Sequence, residues 1–463
     1  MTLIKSISGL RGTIGGNPSE NLTPVDIVKF TAGYAGWVKE NTDNENISVV
    51  IGRDARVSGE MLSGIVSSTL QGMGIRVIDL NMATTPTVEL AVTHLKADGG
   101  IILTASHNPA EWNALKLLDH NGEFISAADG ERILELADKE EFTFVSYDKL
   151  GSYSVNNEMN PMHIRAILDL PYVNIEAIKG SDFTVAVDCV NSVGGIIIPE
   201  LLKALGVNNV FCLNCKPSGL FSHNPEPLPE HLTEISDLIK NKGTDVGFVV
   251  DPDVDRLAIL NEDGSMFGEE YTLVAVADFI LSRKGKGNTV SNLSSTSALQ
   301  NITEKHGGTY NTAAVGEVNV VARMKETGAV IGGEGNGGVI LPDLHYGRDA
   351  LVGIALFLTQ LAESGKKCSE LRSEYPDYVI SKNKIELTPD VDIDRVLKEI
   401  KKKYSQQPVI DIDGVKIHFE KEWVHLRKSN TEPIIRIYAE STDAEKASGL
   451  ADNIIRTIRS LME

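Results

Sequence analysis

Short apolar runs of strand length alternate along the chain with longer stretches whose apolar residues recur at helical spacing. ISVVIG (47–52) is followed by a helical pattern from Gly59 to Gln71, then IRVIDL (75–80), a helix near 87–96 and GGIILTAS (99–106). Such alternation predicts βα units and a mostly parallel sheet. It recurs with FTVAVDC (183–189), NVFCLN (209–214) and DVGFVVD (245–251), and again with NTVSNL (288–293), GTYNTAAVG (308–316) and GAVIGGE (328–334). The tail breaks the rhythm. PVIDIDGVKIHFE, EWVHLR and PIIRIYAE are consecutive strand-like segments, followed by one helix from about Thr442 to Met462. The pattern therefore predicts three similar α/β modules with mixed, mostly parallel sheets, followed by a small α+β C-terminal domain. Boundaries fall at 1–150, 151–252, 253–370 and 371–463.

The chain has 463 residues, too many for one ordinary core, so several domains are expected on size as well. A hydrophobic fraction of 42% with 23% charged residues is that of a globular protein. No run approaches the roughly 18 apolar residues that a membrane span needs. The opening MTLIKSISGLRG turns polar too early for a secretory signal, so a cytoplasmic enzyme away from membranes is expected. A net charge of −20 disfavours nucleic-acid partners. It leaves room for an anionic small substrate in a cleft made locally positive by a few arginines. The four cysteines, Cys189, Cys212, Cys215 and Cys368, have no second pair or His tract that would complete a zinc set, and are read as reduced structural thiols.

Three loops at the carboxyl ends of strands carry chemistry, where α/β sheets place ligand sites. TASHNP (104–109) sets Ser106 beside His107 without the G-x-S-x-G elbow of an esterase. DPDVDR (251–256) places Asp251, Asp253 and Asp255 at alternate positions, so that in extended backbone their carboxylates share one face and repel unless a cation sits among them. Oxygen ligands favour a hard ion, Mg²⁺ or Ca²⁺, with Arg256 and a phosphate completing the charge. The stretch DPDVDRLAILNE approximates an EF-hand loop, but Arg256 stands where that loop requires glycine. GGEGNGG (332–338) is either a glycine-rich turn without a ligand or a loop whose Glu334 and Asn336 suit adjacent sugar hydroxyls. In the tail, RKSNTEP (427–433) supplies Arg427, Ser429, Asn430 and Thr431, a donor set suited either to one phosphate or to the hydrogen bonds of an ordinary turn. Arg11, between glycines in SGLRG, can face an anion, whereas Arg53, Asp54 and Arg56 are read as pairing with one another.

TASHNP, DPDVDR, GEGNGG and RKSNTEP, in that order, resemble the α-D-phosphohexomutases, the superfamily of phosphoglucomutase, phosphomannomutase and phosphoglucosamine mutase. The resemblance spans essentially the whole chain. It implies that Ser106 is carried as phosphoserine against Mg²⁺ held by Ser106 itself and by Asp251, Asp253 and Asp255. It further implies that His107, Lys116 and Arg11 form the acid/base segment, with Lys116 or His107 as the base. A hexose 6-phosphate and 1-phosphate would then interconvert through a hexose 1,6-bisphosphate, which also activates the enzyme. Arg427, Ser429, Asn430 and Thr431 resemble the distal phosphate pocket, and Glu334 and Asn336 the sugar loop, with Arg256 also contacting substrate. Many bacterial phosphoglucosamine mutases carry serine in the sugar loop, where Asn336 stands here, and S-G-T in the phosphate loop, where Asn430 stands in the middle place. GRDALVGI (347–354) fits an archaeal-like branch whose members include glucosamine, glucose and mannose mutases. Glucosamine phosphate is the preferred substrate reading, with mannose or glucose phosphate as the alternative. A serine-dependent phosphate-ester hydrolase and a simple metal-binding protein are the rival classes, and neither has use for a second phosphate anchor.

Overall fold

A computed structural model describes residues 2–6, 9–387, 392–428 and 434–462. They form two compact units, one from Met1–Thr272 with Asn336–Leu371, the other from Leu273–Gly335 with Arg372–Glu463.

The first unit contains two sheets. The larger has seven strands in the order Ile4–Ser6, Gly9–Thr13, Trp112–Leu118, Gly99–Leu103, Ser48–Arg53, Arg76–Met82 and Tyr153–Val155. Ser48–Arg53 pairs in parallel with Arg76–Met82 and Gly99–Leu103, as the βα rhythm predicts. Trp112–Leu118 then runs antiparallel between Gly99–Leu103 and Gly9–Thr13. A strand returning directly beside its neighbour needs no crossover helix, so the βα rhythm does not announce it, and the buried Asn113 and Lys116 break its apolar run.

The reason these strands read as unbroken apolar runs is that both faces are covered. Val49, Ile51, Ile101 and Leu103 point into one hydrophobic cluster with the helix Pro24–Glu40, whereas Val50 and Ile102 point into another with Val88, Ala91 and Val92 of the helix Thr85–His94. Alternate residues of a strand face opposite sides, so two cores flank one sheet. The hydroxyl of Tyr34 crosses the first core to donate to Leu118 O at 2.8 Å, which satisfies its buried polar end.

The second sheet is ordered Leu257–Asn261, Val246–Val250, Thr184–Asp188 and Asn209–Leu213, with the first pair antiparallel and the others parallel. Leu257–Asn261 is thus a strand inside the EF-hand-like stretch. Glu262, the residue at the twelfth place of that pattern, instead accepts the Ser369 backbone N–H at 3.0 Å. Helix Ala350–Ser364 is apolar on every side and correspondingly buried. Asp349 caps it, accepting from Leu351 N at 2.8 Å.

In the second unit, Asn288–Asn292 pairs in parallel with Tyr310–Ala313 and Ala329–Glu334. The tail forms an antiparallel sheet ordered Val379–Glu386, Ile434–Ser441, Trp423–Lys428, Val415–His418 and Val409–Ile410, packed against helices Ile393–Lys403 and Ala444–Met462. The segment PVIDIDGVKIHFE is therefore two short strands joined by a turn at Gly414. All four cysteines are free thiols. Among the described residues no helix is long and apolar enough to cross a membrane.

Candidate active site

Ser106 stands just beyond Gly99–Leu103, in the left-handed region at φ 49°. Such a conformation costs a non-glycine residue free energy and persists where surrounding bonds over-determine it. Those bonds are present. The Ser106 N–H donates to Thr104 Oγ1 at 2.9 Å, and Arg56 Nη2 donates to Ser106 O at 2.6 Å.

Arg56 organises the whole loop. Its guanidinium also reaches Asn108 O and Pro109 O at 2.6 Å and Trp112 O at 2.9 Å, while Nε donates to Asp54 Oδ2 at 3.0 Å. Both side chains are fully buried, and the face of Phe221 lies 4.9 Å from the guanidinium carbon. Burial raises the Asp54 carboxyl above its usual range, against the pull of Arg56. The Asp54–Arg56 pairing read from sequence exists, but Arg53 is not part of it as an ion pair: its Nη1 donates to the Asp54 carbonyl at 3.2 Å. What the sequence reading missed is that Arg56 spends its remaining donors on TASHNP. The signal available was an arginine two residues beyond an aspartate at a strand end, which ordinary surface pairs share.

The three aspartates follow the strand Val246–Val250 and are fully buried. Their ligand atoms lie within 4.8 Å of one another. The extended backbone expected between them is absent. Val254 sits at φ 63° and its N–H donates to Asp251 O at 3.1 Å, so a tight turn, not a pleated strand, gathers the carboxylates. A β-branched residue at positive φ is a steric outlier, held here because Ala350 N donates to Val254 O at 3.2 Å.

Ser106 Oγ donates to Asp251 Oδ2 at 2.7 Å. Asp253 Oδ2 accepts from Lys116 Nζ and from Thr85 Oγ1, both at 2.7 Å. Asp255 Oδ2 accepts from Arg348 Nη2 at 2.7 Å. Oδ1 of Asp253 and Oδ1 of Asp255 are buried and accept no hydrogen bond. Burial, then repulsion by Asp255 and Asp253, pushes the Asp251 carboxyl well above the ordinary range. Buried carboxylate oxygens without donors, in a set of three, are what a hard divalent cation would satisfy. The residues present thus fit such an ion.

Cations surround the serine. Arg11 Nη1 donates to Asn108 Oδ1 at 2.9 Å from the strand Gly9–Thr13. Arg256 Nε lies 3.9 Å from Asp255 Oδ1. Burial lowers the Arg11 pKa, Asp253 opposes that shift, and the neighbouring charges of Arg256 and Arg56 add to it. His107 Nδ1 is 3.3 Å from Ser106 Oγ. Its pKa falls well below the usual value because of burial and then of Arg256 and Arg11. Lys116 is the opposite case: burial disfavours its charge, but Asp253 and Asp255 outweigh burial and raise it. Mutually repelling arginines beside a hydroxyl form a receptor for an anion such as a phosphoryl group.

The structure therefore brings together Ser106, His107, Lys116, Arg11, Arg256 and the three aspartates, all in the first unit. Arg348, Thr85 and Arg56 join them although the sequence reading named none of the three for the site's chemistry. In the glycine-rich loop, Asn336 Oδ1 accepts Gly338 N at 3.2 Å. Gly337, at φ 84°, has no room for a Cβ, which would lie 2.2 Å from Leu257 O. Glu334 and Arg427 belong to the second unit. Glu334 Oε1 accepts from Asn292 Nδ2 at 2.8 Å and from Gly316 N at 3.1 Å, and Arg427 Nε lies 3.3 Å from Asp413 Oδ2. Ser429, Asn430 and Thr431 lie outside the described residues.

Four family models match in succession. They are phosphoglucomutase/phosphomannomutase alpha/beta/alpha domain I over residues 3–144, domain II over 161–264, domain III over 268–378, and the C-terminal domain over 384–457. A phosphoglucomutase/phosphomannomutase of Thermococcus kodakarensis is 37% identical over 443 residues, covering 95% of this chain and 96% of its own. A phosphoglucosamine/phosphogalactosamine mutase of Sulfurisphaera tokodaii is 32% identical, covering 98% of each chain. A crystal structure of a phosphoglucomutase/phosphomannomutase family protein from Burkholderia thailandensis shares the fold, with a TM-score of 0.84 over 99% of this chain and 97% of that one at 24% identity. With the four domain models matched in order and relatives aligned nearly end to end, the chain belongs to the phosphoglucomutase/phosphomannomutase family of α-D-phosphohexomutases.

Proposed function

We propose that this phosphohexomutase interconverts glucosamine 6-phosphate and glucosamine 1-phosphate through a phosphorylated Ser106 and a 1,6-bisphosphate. The observation that carries the reading is the contact of Ser106 Oγ with Asp251 Oδ2 at 2.7 Å, beside two donor-free carboxylate oxygens. A serine that served only as a capping or turn residue would have no reason to face a cation site. The name borne by the Sulfurisphaera tokodaii relative supports an amino sugar. The name of the Thermococcus kodakarensis relative supports the alternative, mannose and glucose phosphates.

In the proposed transfer the bond between Ser106 Oγ and phosphorus breaks. A bond from phosphorus to the free 6- or 1-hydroxyl oxygen forms, and Lys116, whose charge Asp253 and Asp255 favour, acts as the acid/base group by giving a proton to the departing Ser106 Oγ as it takes the proton of that hydroxyl. Arg11 and Arg256 hold the phosphoryl oxygens, and His107 orients Ser106. Asp251, Asp253 and Asp255 would hold Mg²⁺, which when bound neutralises charge on the phosphoryl oxygens. Glu334 and Asn336 take sugar hydroxyls. Arg427, with Ser429, Asn430 and Thr431, takes the phosphate that is not reacting. The second half-reaction returns the other phosphate to Ser106, so one anchor serves both orientations.

The reading is tested by incubating the protein, Mg²⁺ and a trace of bisphosphate separately with glucosamine, glucose and mannose 6-phosphates, followed by ³¹P NMR. Formation of the 1-phosphate, fastest with glucosamine, is the expected result. Release of inorganic phosphate in its place would mean a hydrolase.

Two further outcomes follow from the assigned roles. Asp253→Asn removes one anionic ligand and leaves Lys116 with Asp255, at 3.6 Å, as its carboxylate partner. Its apparent Mg²⁺ affinity should fall together with kcat, and activity at a fixed low Mg²⁺ concentration should recover in part as Mg²⁺ is raised. Arg427→Ala should lower kcat/KM roughly ten- to a hundredfold, the equivalent of a charge-assisted hydrogen bond. The loss should be similar from the 1-phosphate and from the 6-phosphate, with more bisphosphate escaping into solution. A loss in one direction only would assign Arg427 to a single substrate orientation.

A further inference from the structure

Behind the aspartate cluster lies a second group of metal-type ligands that the proposed reaction does not use. His163 comes from the helix Met159–Leu168, Asp349 caps the helix Ala350–Ser364, and His345 lies on the loop before that cap. One ligand atom from each lies within 4.8 Å of the other two. Nε2 of both imidazoles converges on a single oxygen, Asp349 Oδ2, at 2.9 Å from His163 and 3.3 Å from His345.

The outer contacts are those of oriented ligands. Where histidine binds a metal through one nitrogen, the other is usually held by a hydroxyl, carbonyl or carboxylate, which fixes the ring and its tautomer. Here His163 Nδ1 lies 2.9 Å from Thr87 Oγ1, which in turn lies 2.7 Å from Thr84 Oγ1. His345 Nδ1 lies 3.3 Å from Glu89 Oε2. The second oxygen of Asp349 is occupied by the amides of Leu351 and Val352. His163 thus has one nitrogen directed inward and one supported from outside, whereas His345 has Nε2 directed inward and Nδ1 beside Glu89 Oε2 without a formed hydrogen bond.

A protonated His345 clamped between Glu89 and Asp349 is the competing arrangement. These carboxylates hold its pKa up to about 10, although burial acts in the other direction. The distances argue against that arrangement as a complete account. A charge-assisted N–H to carboxylate bond closes to about 2.7–2.9 Å, whereas both His345 contacts stand at 3.3 Å. His345 Nδ1 is buried and makes no hydrogen bond of acceptable geometry. The backbone also leaves room for Glu89: a Cβ on Gly347 would lie 1.8 Å from Glu89 Oε2. Two carboxylates, two imidazoles and slack spacing match a divalent cation, whose charge would equal that of the two acids.

We propose that His163, His345 and Asp349 bind a first-row divalent cation of the zinc type, with Thr87 and Glu89 orienting the two imidazoles. Two nitrogens and one oxygen suit zinc or cobalt and suit Mg²⁺ poorly. The ion would tie two helices and one loop together behind the aspartates. Asp349 is adjacent to Arg348, which holds Asp255 Oδ2 at 2.7 Å. Thr87 lies on the same helix as Thr85, which holds Asp253 Oδ2 at 2.7 Å. The second site would therefore stiffen the back wall of the first while taking no part in phosphoryl transfer.

The test uses the full chain, stripped with chelator and kept in excess Mg²⁺ so that the aspartates are supplied with their own ion. Co²⁺ is added and the visible d–d bands of a nitrogen and oxygen site are recorded, and Zn²⁺ is then titrated against them. The expected result is about one equivalent of Co²⁺ displaced by Zn²⁺, with a rise in Tm of about 2 °C or more on zinc addition. The bands should persist in Asp253→Asn and vanish in His345→Gln. His345 stands on a loop and its side chain is 10% exposed, against 0% for His163, so this variant tests the site even if His163→Gln does not fold. Absence of bands and of any Tm shift in the unmodified chain would overturn the site and leave the protonated His345 cluster in its place. Bands retained in His345→Gln but lost in Asp253→Asn would place the cobalt at the aspartates and overturn it equally.

Discussion

Ser106→Ala is expected to lower mutase turnover by at least about 10³-fold, because in the proposed transfer Ser106 forms and breaks the reacting bond and a group in that role has no substitute. Intact-mass analysis of the unaltered protein should show a fraction carrying one phosphoryl group, mapped by peptide fragmentation to Ser106. In the alanine variant that mass should be absent after incubation with bisphosphate. The fold should survive, since the Ser106 backbone bonds to Thr104 and Arg56 do not depend on the hydroxyl. Removing Oγ also frees Asp251 Oδ2 from its 2.7 Å donor. Turnover close to that of the unaltered enzyme, or phosphate mapped to another residue, would remove Ser106 from the transfer.

The largest expected loss of stability belongs to Arg56→Met. This side chain is fully buried, pairs with Asp54 and satisfies four backbone carbonyls of residues 106 to 112. Methionine fills much of the volume but strands Asp54, whose remaining side-chain donor is Thr104 Oγ1 at 2.7 Å. Breaking a buried pair from one side costs about 3–5 kcal/mol. Denaturant unfolding should move to lower concentration in the transition that reports the first unit. Arg56→Lys should be nearly as harmful, since one ammonium cannot span a carboxylate and four carbonyls. If Arg56→Lys is as stable as the parent, the guanidinium fork is not what shapes the loop. Replacing Asp54 and Arg56 together with apolar residues should recover stability relative to Arg56→Met while leaving turnover low, because the loop would lose its template.

Much of the fold was legible because periodicity reports burial directly. A strand buried on both faces must be apolar throughout, and ISVVIG and GGIILTAS are so because Val50 and Ile102 face one core while Val49 and Ile101 face the other. Trp112–Leu118 escaped notice because Asn113 and Lys116, both buried, interrupt the run with polar residues. Those two serve contacts across the site, to Ser58 and to Asp253.

By itself the sequence determined the local chemistry of this protein. It placed a serine without an esterase elbow, three aspartates too close to remain unpaired, and the alternation of strand and helix that sets loops at strand ends. Only the tertiary structure decided which of these meet. Ser106 and Asp251 are 145 residues apart and their side chains touch. No spacing rule reaches that far, because contacts between modules depend on how whole sheets and helices pack. The turn at Val254 shows the same limit on a small scale. Alternating aspartates suggested a pleat, yet burial of Val254 and its bond from Ala350 overrode local preference and gathered the carboxylates by a strained turn. Arg56 was readable as a partner of Asp54 but not as the template of the serine loop, since four of its acceptors are backbone carbonyls, which carry no residue identity for a sequence to display.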